Sequence, residues 1–400
     1  MAATHISITD LQIGMYVSAL DLPWYRSPFL RHSFLVERAS QIDKLVRAGV
    51  RMVVIDLDRG IAPHVQHGAI TTASATAPAS PIQVHKTLKP LAQLNEEYAQ
   101  ATLAKQQLTQ AVQAVFTTIS QTGTVNTQQA SEAVQEITIV TRTLTHSSLF
   151  IALSQNQPGD SRLSQHALTT CTLSLILGQA LQFNPLELQE LATAALLHDI
   201  GLLEIRPAIW HRSHTVSGLS QAEKVEFETH PNRGVLTLQR QGRFDPSVLH
   251  LIANHHAYLD DSGYPKEARG EFTSDRTRIL MVVDRYDELL TGFGGNTPLT
   301  PHQTFQRLYQ ESQKSKLDQG IVSTLIGLIG IYPVHSHVRL NTQELAVVTE
   351  LNPTQVHQPI ITITHQSDGE EYCDPFVVDL AHQIDASQSR AIEAIITPKS

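Results

Sequence analysis

Five histidines and two aspartates stand at or near the ends of apolar segments, where their side chains need partners. His198 and Asp199 are adjacent in "LLHDIGLLEI" (196–205), and His255 and His256 are adjacent in "LIANHHAYLDDSGYP" (251–265). His230 precedes Pro231, His166 lies in the amphipathic run "LSQHALTTCTLSLIL", and Asp284 follows five apolar residues in "RILMVVDRYDELL". Each alone has an ordinary explanation. A His-Asp pair at a helix end can cap it, and a histidine in an amphipathic helix can be a core residue bonded to a neighbour. The two adjacent imidazoles are harder to assign to packing, and a carboxylate after an apolar run is costly unless paired. Taken together, imidazoles and carboxylates without thiolates suit Fe, Mn or Zn. Seven donors exceed the needs of one structural zinc. Two ions sharing a bridging carboxylate is the economical arrangement, and Asp199, beside His198, is placed to bridge. Such a pair makes hydroxide available near neutral pH and stabilises charge on a phosphoryl oxygen. The chemistry implied is hydrolysis of a phosphate ester.

The elements that must position these residues read mostly as helices. Asn184, Pro185 and Glu187 form a helix start, with Asn184 as N-cap. Leu188, Leu191, Ala192, Ala195 and His198 then share one helical face, and Gly201 is placed to end the helix. Two long helical stretches, 88–119 and 127–155, precede this region. Before them "QIDKLVRAG" (41–49) reads as a helix and "RMVVIDL" (51–57) as a buried strand. After 330, apolar and polar residues alternate as in strands. The expected fold is mainly α, with a small N-terminal α+β module and a short C-terminal β appendage. The divisions are a module at 1–66, an Ala/Thr/Ser/Pro linker at 67–86, a helical connector at 87–156, the metal-bearing helical domain at 157–330 and a β-rich appendage and tail at 331–400.

Composition narrows the function classes. The 400 residues carry a formal charge of -9, which argues against a broad DNA-binding surface. The two cysteines, Cys171 and Cys373, exclude a disulfide framework or a thiolate zinc site and suit a reducing cytoplasm. No secretory leader is evident at the N-terminus. The longest apolar stretch, around Ile321 to Ile331, is too short for membrane insertion.

In order, "HDIG" (198–201), "HP" (230–231), "HH" (255–256), "DDSGYP" (260–265) and "VVDRYDEL" (282–289) resemble the HD-GYP domain, a branch of the HD phosphohydrolases. The segments "DLQIGMYVSALDLPWYRSPFLRHSF" and "VVIDLDRG" resemble the small domain of unknown function that often precedes it, and "GIYPVHSHVRL" resembles the tail that follows. The resemblance implies an all-α HD-type bundle that hydrolyses cyclic di-GMP to pGpG, GMP or both. It implies two or three metal ions, commonly iron or manganese. His166, His198, Asp199 and Asp284 would hold one ion; Asp199, His230, His255 and His256 would hold the other. Arg162 stands where the family places a carboxylate for an optional third ion, so two are expected. Asp199 is the candidate catalytic residue, and Gly263, Tyr264, Pro265 and Lys266 are candidate substrate contacts. The same turn is a candidate surface for a diguanylate cyclase or another signalling protein, and a homodimer is left open.

Some positions depart from the family pattern. Leu202 replaces a lysine that contacts substrate phosphate, and Ala257 replaces a glutamate. The stretch 291–298, "TGFGGNTP", has no cation where the family carries phosphate-gripping residues. Lys266, Arg278 and Arg285 are candidate substitutes. Two functions are therefore expected: an active cyclic di-GMP phosphodiesterase, or a degenerate module that binds metal and a nucleotide or protein partner with little hydrolysis.

Overall fold

The structure is a computed structural model. It describes residues 3–20, 34–36, 38–47, 50–56, 59–60, 90–155, 161–210, 219–241, 244–267, 273–293, 297–352, 355–383 and 389–396. The expected linker at 67–86 lies outside these residues. The chain divides into two units, Met1–Pro90 and Leu91–Ser400.

The first unit is an antiparallel sheet with one helix. Its strands are β1 (Ala3–Ser7), β2 (Tyr16–Leu20), β3 (Phe34–Leu35) and, after helix α1 (Ala39–Arg47), β4 (Met52–Asp56). Their order is β1-β4-β2-β3. Burial alternates along β4, with Val53 and Ile55 inward against Ile6, Met15, Val17 and Leu45. The expected buried strand is thus covered on one face.

In the second unit α2 (Leu91–Thr122) is followed by α3 (Thr127–Thr143) and α4 (His146–Ser154). The helical stretch expected at 127–155 therefore breaks at Leu144 and Thr145. Within α3 threonine hydroxyls bond back to the preceding turn, Thr138 to Val134 O and Thr143 to Ile139 O. Thr145 then leaves the helix and donates to Glu97 of α2 at 3.3 Å.

The helical bundle continues with α5 (Arg162–Ala180), α6 (Pro185–Leu197), α7 (Pro207–Trp210), α8 (Gln221–Phe227), α9 (His230–Gln239), α10 (Pro246–Asn254), α11 (Asp275–Thr291), α12 (Pro301–Gln313) and α13 (Gln319–Ile329). Helix α5 packs against α6 and α11, while α10 packs against α6 and α9. Near-continuous burial of α5 from Leu163 to Gly178 makes it a central helix. At the start of α6, Asn184 accepts from Leu186 and Glu187 N–H, and the Glu187 carboxylate accepts from Asn184 N–H. That capping box fixes where the helix carrying His198 begins.

Gly201 does not end α6. The helix stops at Leu197, and Gly201 lies in a 3₁₀ turn, Ile200–Glu204. Its role is a close backbone approach: a Cβ there would lie 2.0 Å from His230 O.

The C-terminal appendage is a five-stranded antiparallel sheet. Strands β5 (His337–Leu340), β6 (Leu345–Glu350), β7 (Ile360–His365), β8 (Glu371–Asp379) and β9 (Ile392–Ile396) are ordered β8-β7-β6-β5-β9. Val338, Leu340, Val348, Ile361 and Ile363 form its core. Ser148 of α4 bonds His335 Nε2 at 2.9 Å, tying the sheet's entry to the bundle. Among the described residues, no helix is long and apolar enough to cross a membrane.

Replacing Asn184 by Ala removes the α6 cap and should cost about 1 kcal/mol. Urea unfolding of the variant should show a lower midpoint, whereas Asn184→Asp should stay close to the parent.

Candidate metal centre

Three of the five histidines are fixed by helix ends. The last carbonyls of a helix lack partners within it. His198 caps α6, and its Nδ1 donates to Ala195 O at 2.8 Å. His255 caps α10 and donates to Ile252 O at 2.7 Å. His230 opens α9 and donates to Phe227 O, the last residue of α8, at 2.8 Å. In α5, His166 Nδ1 instead donates to the Asp287 carboxylate at 2.7 Å. A neutral imidazole that donates through Nδ1 presents a lone pair at Nε2. These Nε2 atoms converge in two pairs: His166 and His198 at 3.1 Å, and His230 and His255 at 3.2 Å.

Asp199 stands between the pairs. Its Oδ2 lies 3.5 Å from Nε2 of both His166 and His198. Its Oδ1 lies 3.0 Å from His230 Nε2 and 3.7 Å from His255 Nε2. Asp284 is similarly divided: Oδ1 is 3.1 Å from His166 Nε2, and Oδ2 is 3.5 Å from His256 Nδ1. Two donor groups result, Asp199-His230-His255-His256 and His166-His198-Asp284; within each, ligand atoms lie within 4.8 Å of one another. All seven residues are at most 3% exposed.

The electrostatics suit a cation. Burial raises the Asp199 pKa, but the charges of His198 and His230 outweigh it and hold the carboxyl well below its usual range. Burial opposes ionisation of Asp284 too, and His256, His166 and His198 overcome it. Burial and the neighbouring His255 push His256 well below the ordinary imidazole value. Burial also lowers His166, yet bonds to Asp284 and Asp287 carry it well above the ordinary imidazole value. Protons and metal therefore compete for His166. Buried polar atoms are normally bonded. Asp199 Oδ1, Asp284 Oδ2 and His256 Nδ1 are buried without a hydrogen bond. Those unsatisfied atoms, and the imidazole-carboxylate donor set, fit divalent transition-metal ions.

Two glycines bring the elements together. Gly201 presses the turn after Asp199 onto the first residue of α9. Gly263 passes under the histidine pair, where a Cβ would lie 1.8 Å from His256 O. Tyr264 N–H donates to that same oxygen at 3.1 Å, and its ring centroid lies 4.6 Å from that of His256. Pro265 follows in the same turn. Lys266 folds back, its Nζ donating to Gly263 O at 2.8 Å.

Residues that the sequence reading passed over also converge here. Asp287 orients His166, and Glu288 joins His256 and Asp284 in a third donor group. Burial and the charge of Asp284 push Glu288 up to about 7. Both lie three or four residues after Asp284, a helical spacing that places them on its side of α11. Phe293 stacks on the His166 ring at 4.2 Å between centroids. Leu202 is fully buried and Ala257 nearly so. The candidate substitute cations have partners: Arg278 pairs with Asp318, and Arg285 pairs with Glu288 and Glu311.

Residues 147–321 match the family described as HD domain, and residues 3–130 match a domain of unknown function, DUF3391. A cyclic di-GMP phosphodiesterase of Pseudomonas aeruginosa is 25% identical over 379 residues, covering 94% of this chain and 88% of that protein. The chain carries an HD domain. Another cyclic di-GMP phosphodiesterase, from Borreliella burgdorferi, is 24% identical over 49% of this chain and 50% of its own length. A 3′3′-cGAMP-specific phosphodiesterase of Vibrio cholerae is 25% identical over 40% of this chain and 37% of its own. An HDG"Y"P protein from Bdellovibrio bacteriovorus, whose structure is solved, aligns with a TM-score of 0.46 at 17% identity, covering 81% of this chain and 98% of that one. The HD match begins at 147, within α4.

Asp287→Asn weakens the acceptor that orients His166. Loss of such a partner typically lowers metal affinity about 10–100-fold. Titration with Mn(II) should show that loss, with the helical content unchanged by circular dichroism.

Proposed function

We propose that this protein is a metal-dependent phosphodiesterase of the HD-GYP type that hydrolyses cyclic di-GMP to pGpG, GMP or both. The observation carrying this reading is the division of Asp199, one oxygen toward each histidine pair. We assign His166, His198, Asp199 and Asp284 to one iron or manganese ion, and Asp199, His230, His255 and His256 to the other. Two such ions, when bound, activate water near neutral pH and neutralise charge on the phosphoryl group.

The chain's own residues do the rest. The carbonyls of Ala195, Phe227 and Ile252 hold three imidazoles in one tautomer. Asp287 holds the fourth. Burial keeps bulk water from the donor atoms, so their charges act at short range. We assign Gly263, Tyr264, Pro265 and Lys266 to the substrate side; Lys266 would reach a phosphate only by releasing Gly263 O. We assign to the same turn a partner surface for a diguanylate cyclase or another signalling protein. The free thiols of Cys171 and Cys373 accord with action in the cytoplasm.

A second reading, a binding module with little hydrolysis, is favoured by Leu202 and by the pairing of Arg278 and Arg285. Each missing charge-assisted contact removes roughly 1.5–3 kcal/mol.

Protein loaded anaerobically with Fe(II) or Mn(II) should hydrolyse cyclic di-GMP, with 3′3′-cGAMP assayed in parallel. Asp199→Asn should lower the rate on the order of 10²–10³-fold, the scale of one lost electrostatic contact in a transition state. Binding without turnover at full metal content would favour the second reading. A gain in rate with Leu202→Lys would then identify the missing cation as the defect, and hydrolysis of cGAMP alone would overturn the substrate assignment.

A further inference from the structure

Arg162, Lys266 and Arg285 are each held by hydrogen bonds to the protein. Arg162 donates to Thr291 O at 3.2 Å, Lys266 to Gly263 O, and Arg285 to Glu288 and to both oxygens of Glu311. Lys316, in the turn between α12 and α13, is held differently. Among the described residues its ammonium donates no hydrogen bond. Its ion-pair partner, Glu311 Oε2, is 3.6 Å away, beyond hydrogen-bonding reach. That carboxylate is already engaged: it accepts from Arg285 at 3.0 and 3.1 Å and from Arg307 at 2.9 Å. Lys316 can therefore turn to another anion without breaking a hydrogen bond.

Its seat lies beside the histidine pair. The ammonium is 4.1 Å from the centre of the half-buried Tyr258 ring. Tyr258 follows His256 by two residues, and the two ring centroids are 6.3 Å apart. The backbone fixes this approach. Leu259 N–H donates to Lys316 O at 3.1 Å, and Tyr258 N–H donates at 3.0 Å to His256 O, the oxygen that also receives Tyr264 N–H. Lys316 is thus tied to the segment that carries both His256 and the Gly263–Lys266 turn. Its side chain is 22% exposed, so solvent reaches it. Burial lowers its pKa, with the charge of Glu311 acting against that. A partly dehydrated cation attracts an anion more strongly than one in bulk water.

We propose that Lys316, seated on the Tyr258 ring, contacts a phosphate of the substrate and supplies from the α12–α13 turn the positive charge that Leu202 cannot. Leu202 is fully buried, whereas Lys316 has a solvent-reached ammonium with hydrogen-bonding capacity to spare. The contact rests on reading the protein as a cyclic di-GMP phosphodiesterase. It acts on the bound phosphate in ground state and transition state alike, so its loss raises KM and leaves kcat in place.

Full-length parent, Lys316→Met and Lys316→Arg are loaded with Mn(II) and analysed for metal per chain. Affinity for cyclic di-GMP is read as KM where the protein turns over, and by equilibrium dialysis of labelled ligand where it does not, at low and high salt. Lys316→Met should weaken affinity on the order of 10–100-fold, the scale of one lost charge-assisted contact. Its kcat, metal content and circular dichroism should be unchanged, and its affinity should depend less on salt than the parent's. Lys316→Arg should keep most of the affinity and the parent's salt dependence. Unchanged affinity in Lys316→Met overturns the contact. So does an equal loss in both variants with the parent's salt dependence, which marks a packing role, and so does loss of metal from folded Lys316→Met. If that variant does not fold, Lys316→Gln decides by the same readings. A metal-loaded parent that neither binds nor hydrolyses cyclic di-GMP overturns the functional reading instead. Lys316 is then decided in the same way on bis(p-nitrophenyl) phosphate, a plain phosphodiester, where no effect overturns it too.

Discussion

Helices end in carbonyls with no partner of their own, and here three of those carbonyls decide the chemistry. Ala195 O, Phe227 O and Ile252 O each accept the Nδ1 proton of a histidine three residues on. Each imidazole is thereby locked in one tautomer and turned so that its Nε2 lone pair faces the interior. Asp287 does the same for His166. Lone pairs 3.1–3.2 Å apart, with carboxylate oxygens beside them, repel one another in a dry interior. Only positive charge makes the arrangement favourable. Protons can supply it in part, which is why His166 and His198 are pushed up despite burial. Divalent ions supply it fully, and the placement of Asp199 between the pairs matches that need.

The bundle can be understood as the means of bringing these helix ends to one point. Helices α6, α8 and α10 contribute C-termini, α5 contributes His166 near its start, and α11 contributes Asp284 from its middle. Such convergence needs close backbone passage. Gly201 allows it between the Asp199 turn and α9, and Gly263 allows it beneath His256. The glycines of "HDIG" and "GYP" thus have a packing role that needs no contact with substrate. Burial does the rest, since all seven polar residues are at most 3% exposed.

Much of this was readable in the sequence. Each of the seven residues that cluster here could be named because so many histidines and aspartates at the ends of apolar runs are hard to assign to packing together, although each alone has an ordinary explanation. The Asn184 start of α6 followed from local capping chemistry alone. The misses have physical causes. Asp287 and Glu288 look like the polar side of an amphipathic helix until α5 and α12 cover them, so their burial is a tertiary fact. In sequence Gly201 fits a helix stop because glycine commonly ends helices, whereas its constraint comes from His230, remote in sequence. The break at Thr145 comes with a contact to Glu97, remote in sequence, which helical periodicity does not encode. Leu202 was visible as a departure from pattern; that it lies fully buried was not.

The central claim is that Asp199 joins two metal ions held by opposing histidine pairs. X-ray absorption at the manganese or iron edge of the loaded full-length protein tests it most directly. The account predicts imidazole scattering together with a metal–metal distance of about 3.5–4 Å, the spacing of two-metal sites. Loaded protein with no metal–metal scattering, or with a shell of oxygen ligands alone, would contradict it.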